Sequence, residues 1–213
     1  MTLIKVCGVT LPDDAARVSS AGVDFIGLNF WPKSKRYVDP ERAPMLASVV
    51  RSTGKAKLVG VFVDPELDEI QAIMAKVDLD VIQLHGDEDP DFVKRVSLAL
   101  YRPVWKALPI ASAKDVAHLG AWPAEALLLD APTPGRGGAG ATFDWKLARE
   151  ARERFPKANI VLAGGLNPTN VATAIQTVEP WAVDVASGIE VAPGIKDATK
   201  LEAFIAAARA RGI

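Results

Sequence analysis

Eight short runs rich in Val, Ile and Leu recur along the chain, and each is followed by a stretch with helical apolar spacing. The runs cover residues 3–7, 23–30, 57–63, 80–84, 103–108, 126–130, 159–163 and 181–186. The first helix is predicted from Pro12, with Asp13 and Asp14 in its first turn and Gly22 beyond its end. The others are predicted over 40–51, 65–76, 90–98, 113–119, 144–155, 168–178 and 197–211.

Strands that are continuously apolar suit a parallel sheet covered on both faces. Strict alternation with helices requires such a sheet. Eight units predict closure into a single (β/α)8 TIM barrel, one domain over 1–213. The competing architecture is an open doubly wound sheet. Against it, the first strand–helix turn, Cys7-Gly8-Val9-Thr10, lacks the G-x-G-x-x-G fingerprint, and no Walker A sequence is present.

The formal net charge of −1 gives no basic field, so neither nucleic acid nor an anionic membrane is an expected partner. Phosphate affinity would have to come from a local site. The single cysteine excludes an intramolecular disulfide and fits a reducing compartment. The segment MTLIKVCGVT lacks a secretory layout, and no apolar run approaches the roughly 20 residues of a membrane span. A cytoplasmic protein is expected. Cys7, His85 and His118 are too few for a structural zinc site, so no metal is expected.

In a barrel of this kind the active site lies at the C-terminal strand ends. Cys7 ends the first strand and Asp130 the sixth. Alone, Cys7 reads as a small core residue or a reactive thiol, and Asp130 as a turn residue or an acid. On one rim, a thiol and a carboxyl can divide base and acid roles. Gly164-Gly165 after strand seven and Ser187-Gly188 after strand eight form two candidate phosphate cradles, where such barrels frequently bind phosphate. Gln83 and His85 are two apart and share one strand face. Asp184 either points into the mouth or balances a nearby cation, and Lys106 is a similar case. Arg36, in the basic loop 31–36, can hold a carboxylate through two bonds. The glycine-dense loop 134–141 reads as a lid or a plain connection.

These segments together resemble the phosphoribosylanthranilate isomerase family along nearly the whole chain. The resemblance is carried by Lys5-Val6-Cys7-Gly8-Val9-Thr10, Gln83-Leu84-His85-Gly86, Leu128-Leu129-Asp130, Gly164-Gly165-Leu166-Asn167-Pro168, Ala186-Ser187-Gly188-Ile189-Glu190 and Pro193-Gly194-Ile195-Lys196-Asp197. It implies an Amadori rearrangement of a phosphorylated sugar, with no cofactor and no metal. Asp130 would be the acid at the ring oxygen and Cys7 the base at C2. Arg36 would hold the anthranilate carboxylate, Gly164, Gly165, Ser187 and Gly188 the phosphate, and Asp184 a ribose hydroxyl. Gln83 and His85 would line the site. The resemblance leaves a monomer or a homodimer open.

Two departures stand out. Ser34-Lys35-Arg36 replaces the family's Ser-Pro-Arg, which removes a backbone constraint from that loop. Gly138-Ala139-Gly140-Ala141 replaces an expected Gly-Thr-Gly-Lys. A related histidine-pathway isomerase would carry an aspartate at Cys7, and a metal-dependent epimerase would carry more rim histidines. A non-catalytic phosphate-binding barrel would have no use for both Cys7 and Asp130.

Overall fold

The computed structural model describes residues 1–132 and 143–210. Its strands are β1 (Leu3–Cys7), β2 (Phe25–Asn29), β3 (Lys57–Phe62), β4 (Val81–Leu84), β5 (Val104–Pro109), β6 (Ala126–Asp130), β7 (Asn159–Leu162) and β8 (Ala182–Val185). They pair in parallel, in sequence order, and close into a ring. Closure runs through β1 and β8, where Lys5 stands opposite Asp184. The helices that alternate with them are α1 (Pro12–Ser20), α2 (Ala43–Thr53), α3 (Leu67–Met74), α4 (Pro90–Leu100), α5 (Ala113–Ala117), α6 (Trp145–Arg154), α7 (Val171–Val178) and α8 (Ala198–Arg209). This is the (β/α)8 barrel that the alternation predicts. The glycine-dense stretch 134–141 lies outside the described residues.

Helix starts differ from expectation where side chains take over backbone bonds. α2 begins at Ala43 rather than 40, because Asp39 Oδ1 accepts the Glu41 N–H at 2.9 Å and turns the chain first. Pro44 then sits in the first helical turn, where its missing N–H costs nothing. α7 begins at Val171 rather than 168. Asn170 Oδ1 accepts the Asn167 N–H at 2.8 Å, and Asn167 Oδ1 accepts the Thr169 N–H at 2.9 Å, so side chains replace the first turn. Asp144 and Asp197 are the N-caps of α6 and α8. Unforeseen is a 3-10 turn over Ser187–Ile189, followed by a hairpin of β9 (Glu190–Ala192) and β10 (Ile195–Lys196).

Two apolar layers hold the barrel. Outward-facing strand residues such as Ile4, Ile26 and Leu58 pack against Val18, Leu46, Ile70 and Phe204 of the helices. Each fully buried side chain of this size contributes about 1.5–3 kcal/mol. Inside the ring, Phe25, Trp105 and Trp181 meet near the N-terminal strand ends, with Trp105 centroids 4.8 Å from Phe25 and 5.6 Å from Trp181. Such tilted and edge-on ring contacts close the floor of the barrel. The inner face turns polar only toward the other end.

Candidate active site

Side chains on a strand alternate between the ring interior and the helix layer. Lys5 and Cys7 on β1, Gln83 on β4, Asp130 on β6 and Asp184 on β8 all fall on the inner phase, in register with the inward-facing Phe25, Trp105 and Ala126. The aromatic floor is at one end and these polar groups line the other. The sequence reading of Cys7 and Asp130 as strand-terminal residues of one mouth holds in the structure.

Cys7 is half-buried beside Gly27 of β2. A methyl on Gly27 would stand 2.8 Å from the Cys7 sulfur, so only glycine leaves the thiol its place. Beneath it, Lys5 is wholly buried, with Nζ 3.0 Å from Asp184 Oδ1. Burial pushes the Cys7 thiol pKa up, and the charges of Lys5 and Lys196 recover only part of that shift. Burial also opposes the charge of Lys5, but Asp184 and Cys7 outweigh it and hold the ammonium above its usual range. Asp184 therefore both points into the mouth and balances a cation.

Across the ring, Asp130 Oδ1 accepts the Ala131 N–H at 2.8 Å, and Oδ2 lies 3.5 Å from His85 Nε2. Gln83 Nε2 is 2.9 Å from His85 Nδ1. With the amide as donor, Nδ1 accepts and Nε2 carries the proton that faces Asp130. The shared strand face predicted for Gln83 and His85 is realised. Gln83 Oε1 is buried with no partner among the described residues. Lys106, by contrast, is on the outer phase and binds the Gly86 carbonyl at 2.7 Å and Glu88 at 2.9 Å. It braces the loop after β4 rather than entering the site.

The two glycine loops lie against each other. Gly164 and Gly165 adopt left-handed backbone, with φ of 79° and 61°. A methyl on Gly188 would collide with the Leu166 carbonyl oxygen. Loops seven and eight can therefore touch only because Gly188 has no side chain. Ser187 opens the 3-10 turn beside them.

Arg36 is fixed despite the missing proline. Ser34 Oγ accepts the Arg36 N–H at 3.1 Å, and the Ser34 N–H reaches the Trp31 carbonyl at 2.9 Å. Its guanidinium holds Glu190 through Nε at 2.9 Å and Nη2 at 2.6 Å. Lys5, Glu190 and Lys196 were given no role by the sequence reading. Lys5 carried a usable signal, since it is two residues before Cys7 on an inward-facing strand. Among the described residues, no three His, Cys, Asp or Glu side chains gather as a metal site. No described helix is long and apolar enough to cross a membrane.

A family model for N-(5'-phosphoribosyl)anthranilate (PRA) isomerase matches residues 4–207. The chain belongs to this isomerase family. It is an enzyme that performs the family's isomerisation step in tryptophan biosynthesis. The N-(5'-phosphoribosyl)anthranilate isomerase of Myxococcus xanthus is 43% identical over 211 residues, covering 97% of this chain and 95% of its own. That of Thermotoga maritima is 40% identical over 205 residues, covering 96% and 97%. The Thermotoga maritima isomerase structure superposes with a TM-score of 0.86 at 39% identity, over 98% of this chain and 99% of that one. A further isomerase structure, in complex with reduced 1-(o-carboxyphenylamino)-1-deoxyribulose 5-phosphate, gives 0.83 at 36% identity, over 98% and 99%.

Proposed function

We propose that the chain, as one barrel domain over 1–213, converts N-(5-phosphoribosyl)anthranilate to 1-(2-carboxyphenylamino)-1-deoxyribulose 5-phosphate, with Asp130 as acid and Cys7 as base. The observation that carries this reading is their placement. Both end strands on the inner phase of one ring, with β7 and β8 between them on one side and β2 to β5 on the other. A sugar laid across the mouth meets one group from each side.

Asp130 gives its proton to the furanose ring oxygen as the C1–O bond breaks, and the anilino nitrogen lone pair forms the C1 iminium. The Cys7 thiolate then takes the C2 proton, and the C2–H electron pair moves toward the iminium to give an enolamine. C1 gains a proton and the C2 hydroxyl loses one, leaving the ketone. The iminium is the electron sink, so the scheme uses no cofactor and no metal. Its positive charge beside Cys7 also favours the thiolate that burial disfavours. Arg36 holds the anthranilate carboxylate, Asp184 a ribose hydroxyl, and the backbone of Gly164, Gly165 and Gly188 with Ser187 the phosphate. Gln83 and His85 line the acid side. We place the enzyme in the cytoplasm, as a monomer or a homodimer. The Thermotoga maritima isomerase is described as dimeric.

The test is loss of anthranilate-type fluorescence on adding substrate to the purified protein. Turnover is expected, and none from folded protein would overturn the reading. Cys7→Ser and Asp130→Asn should each lower kcat by about 10²–10⁴-fold. A near-normal kcat in either variant would remove its assigned role.

A further inference from the structure

The β9–β10 hairpin sets two buried charges, Glu190 and Lys196, opposite each other. Lys196 Nζ donates to Glu190 Oε1 at 2.8 Å and to the Cys7 carbonyl at 2.6 Å. The Lys196 N–H donates to Asp14 Oδ2 of α1 at 2.8 Å, and the Gly194 N–H donates to Glu190 Oε1 at 3.2 Å. Glu190 in turn accepts both Nε and Nη2 of Arg36. The Arg36 stem lies over Gly8, where a methyl group would collide with its Cδ. An unbroken chain of contacts thus joins the backbone of Cys7 to the guanidinium of Arg36.

The shape of the guanidinium indicates what this chain is for. Nε and Nη2 form its side edge, which Glu190 occupies. Nη1 and the second Nη2 hydrogen form its end edge, and Nη1 has no partner among the described residues. Two parallel donors on that edge match a carboxylate. A free arginine side chain carries about 2 kcal/mol of rotamer entropy, and an arginine already pinned loses less of it when substrate arrives.

We propose that Glu190, braced by Lys196, is a positioning residue for the substrate's ring carboxylate, pinning Arg36 so that its Nη1–Nη2 edge stands at a fixed place relative to Cys7. This rests on the reading of Arg36 given above. The ionisation of Glu190 agrees with it. Burial opposes the charge, but Arg36 and Lys196 outweigh burial and hold the carboxyl below its ordinary range.

Glu190→Gln keeps the shape and turns an amide N–H toward the donors of Arg36. Calorimetry would compare two probes on the full chain: reduced 1-(o-carboxyphenylamino)-1-deoxyribulose 5-phosphate, and its counterpart with a plain phenyl ring. Glu190→Gln should weaken the carboxylated probe by about ten- to a hundred-fold and leave the phenyl probe within about two-fold. In turnover it should raise KM more than it lowers kcat. Equal loss for both probes would mark a merely structural residue and overturn the proposal. Arg36→Met separates the two claims. If Arg36→Met abolishes the carboxylate preference and Glu190→Gln does not, the positioning role fails alone. If Arg36→Met keeps the preference, the reading of Arg36 falls and takes the proposal with it. Should Glu190→Gln not fold, Lys196→Met is expected to give a smaller loss with the same preference, and equal loss for both probes again overturns the proposal.

Discussion

Around Cys7 the barrel mouth is built from formal charges: Lys5 against Asp184, and Lys196 and Arg36 against Glu190, with Lys5, Lys196 and Glu190 buried. Around Asp130 it is built from a backbone N–H, an imidazole and an amide, with the imidazole contact stretched to 3.5 Å. The difference agrees with what the proposed reaction asks of each group. A buried base must be given a charged form, and neighbouring cations offset part of the cost of burying a thiolate. Those cations need anions of their own, so the compensation spreads along β1, β8 and the hairpin. A group that hands over a proton must keep that proton until it is needed, and a neighbouring cation would work against this by favouring the carboxylate.

The sharpest way to break this contrast is Lys5→Met. The substitution leaves Asp184, whose side chain is 10% exposed, without its partner, and losing one member of a buried pair costs up to about 3–5 kcal/mol. For a chain of this size that is a fall in Tm on the order of 10 °C, read by calorimetry. Activity should fall as well, since the thiolate loses its adjacent cation. A Tm within a degree or two of the parent would show that Asp184 is not held by charge.

How much of this was legible in the sequence divides along the same line. The strands, their inward phase and the strand-terminal positions of Cys7 and Asp130 follow from local periodicity, which a single segment displays. Gln83 and His85 on one face follow in the same way. Lys5 was equally readable, because period two from Cys7 points to it, yet a lysine inside an apolar strand draws attention only once a partner is known. Glu190 and Lys196 were visible as letters of a motif and no more. Their hairpin is too short to show a period, and Glu190 meets Arg36 from 154 positions away. The starts of α2 and α7 were misplaced because Asp39, Asn167 and Asn170 take over backbone bonds that composition alone assigns to a helix.

The second prediction concerns pH and affects one side only. Burial holds the thiol of Cys7 above its ordinary range, and the base proposed above is its thiolate. kcat/KM should therefore rise with pH, on a limb set above the usual thiol value of about 8.5. Lys5→Met removes a positive charge and should move that limb further up. A limb that stays in place would mean that Cys7 does not feel Lys5.

The smallest effect is expected on the acid side, from Gln83→Leu. Gln83 brings one useful contact, to His85 Nδ1, and one liability, a buried Oε1 with no partner among the described residues. Leucine of similar size removes both. Loss of the amide frees the imidazole to take either tautomer, so the proton facing Asp130 is no longer assured. A neutral hydrogen bond is worth about 1 kcal/mol, so kcat should fall only several-fold. Stability should hold or rise slightly, because an unsatisfied buried acceptor disappears. The rising pH limb should not move, since the charges that shift the Cys7 thiol are those of Lys5, Asp184 and Lys196. Activity and stability would then part company at Gln83 while falling together at Lys5. If Gln83→Leu instead shifted the limb as Lys5→Met does, the two sides of the mouth would be one electrostatic unit and the contrast between them would be lost.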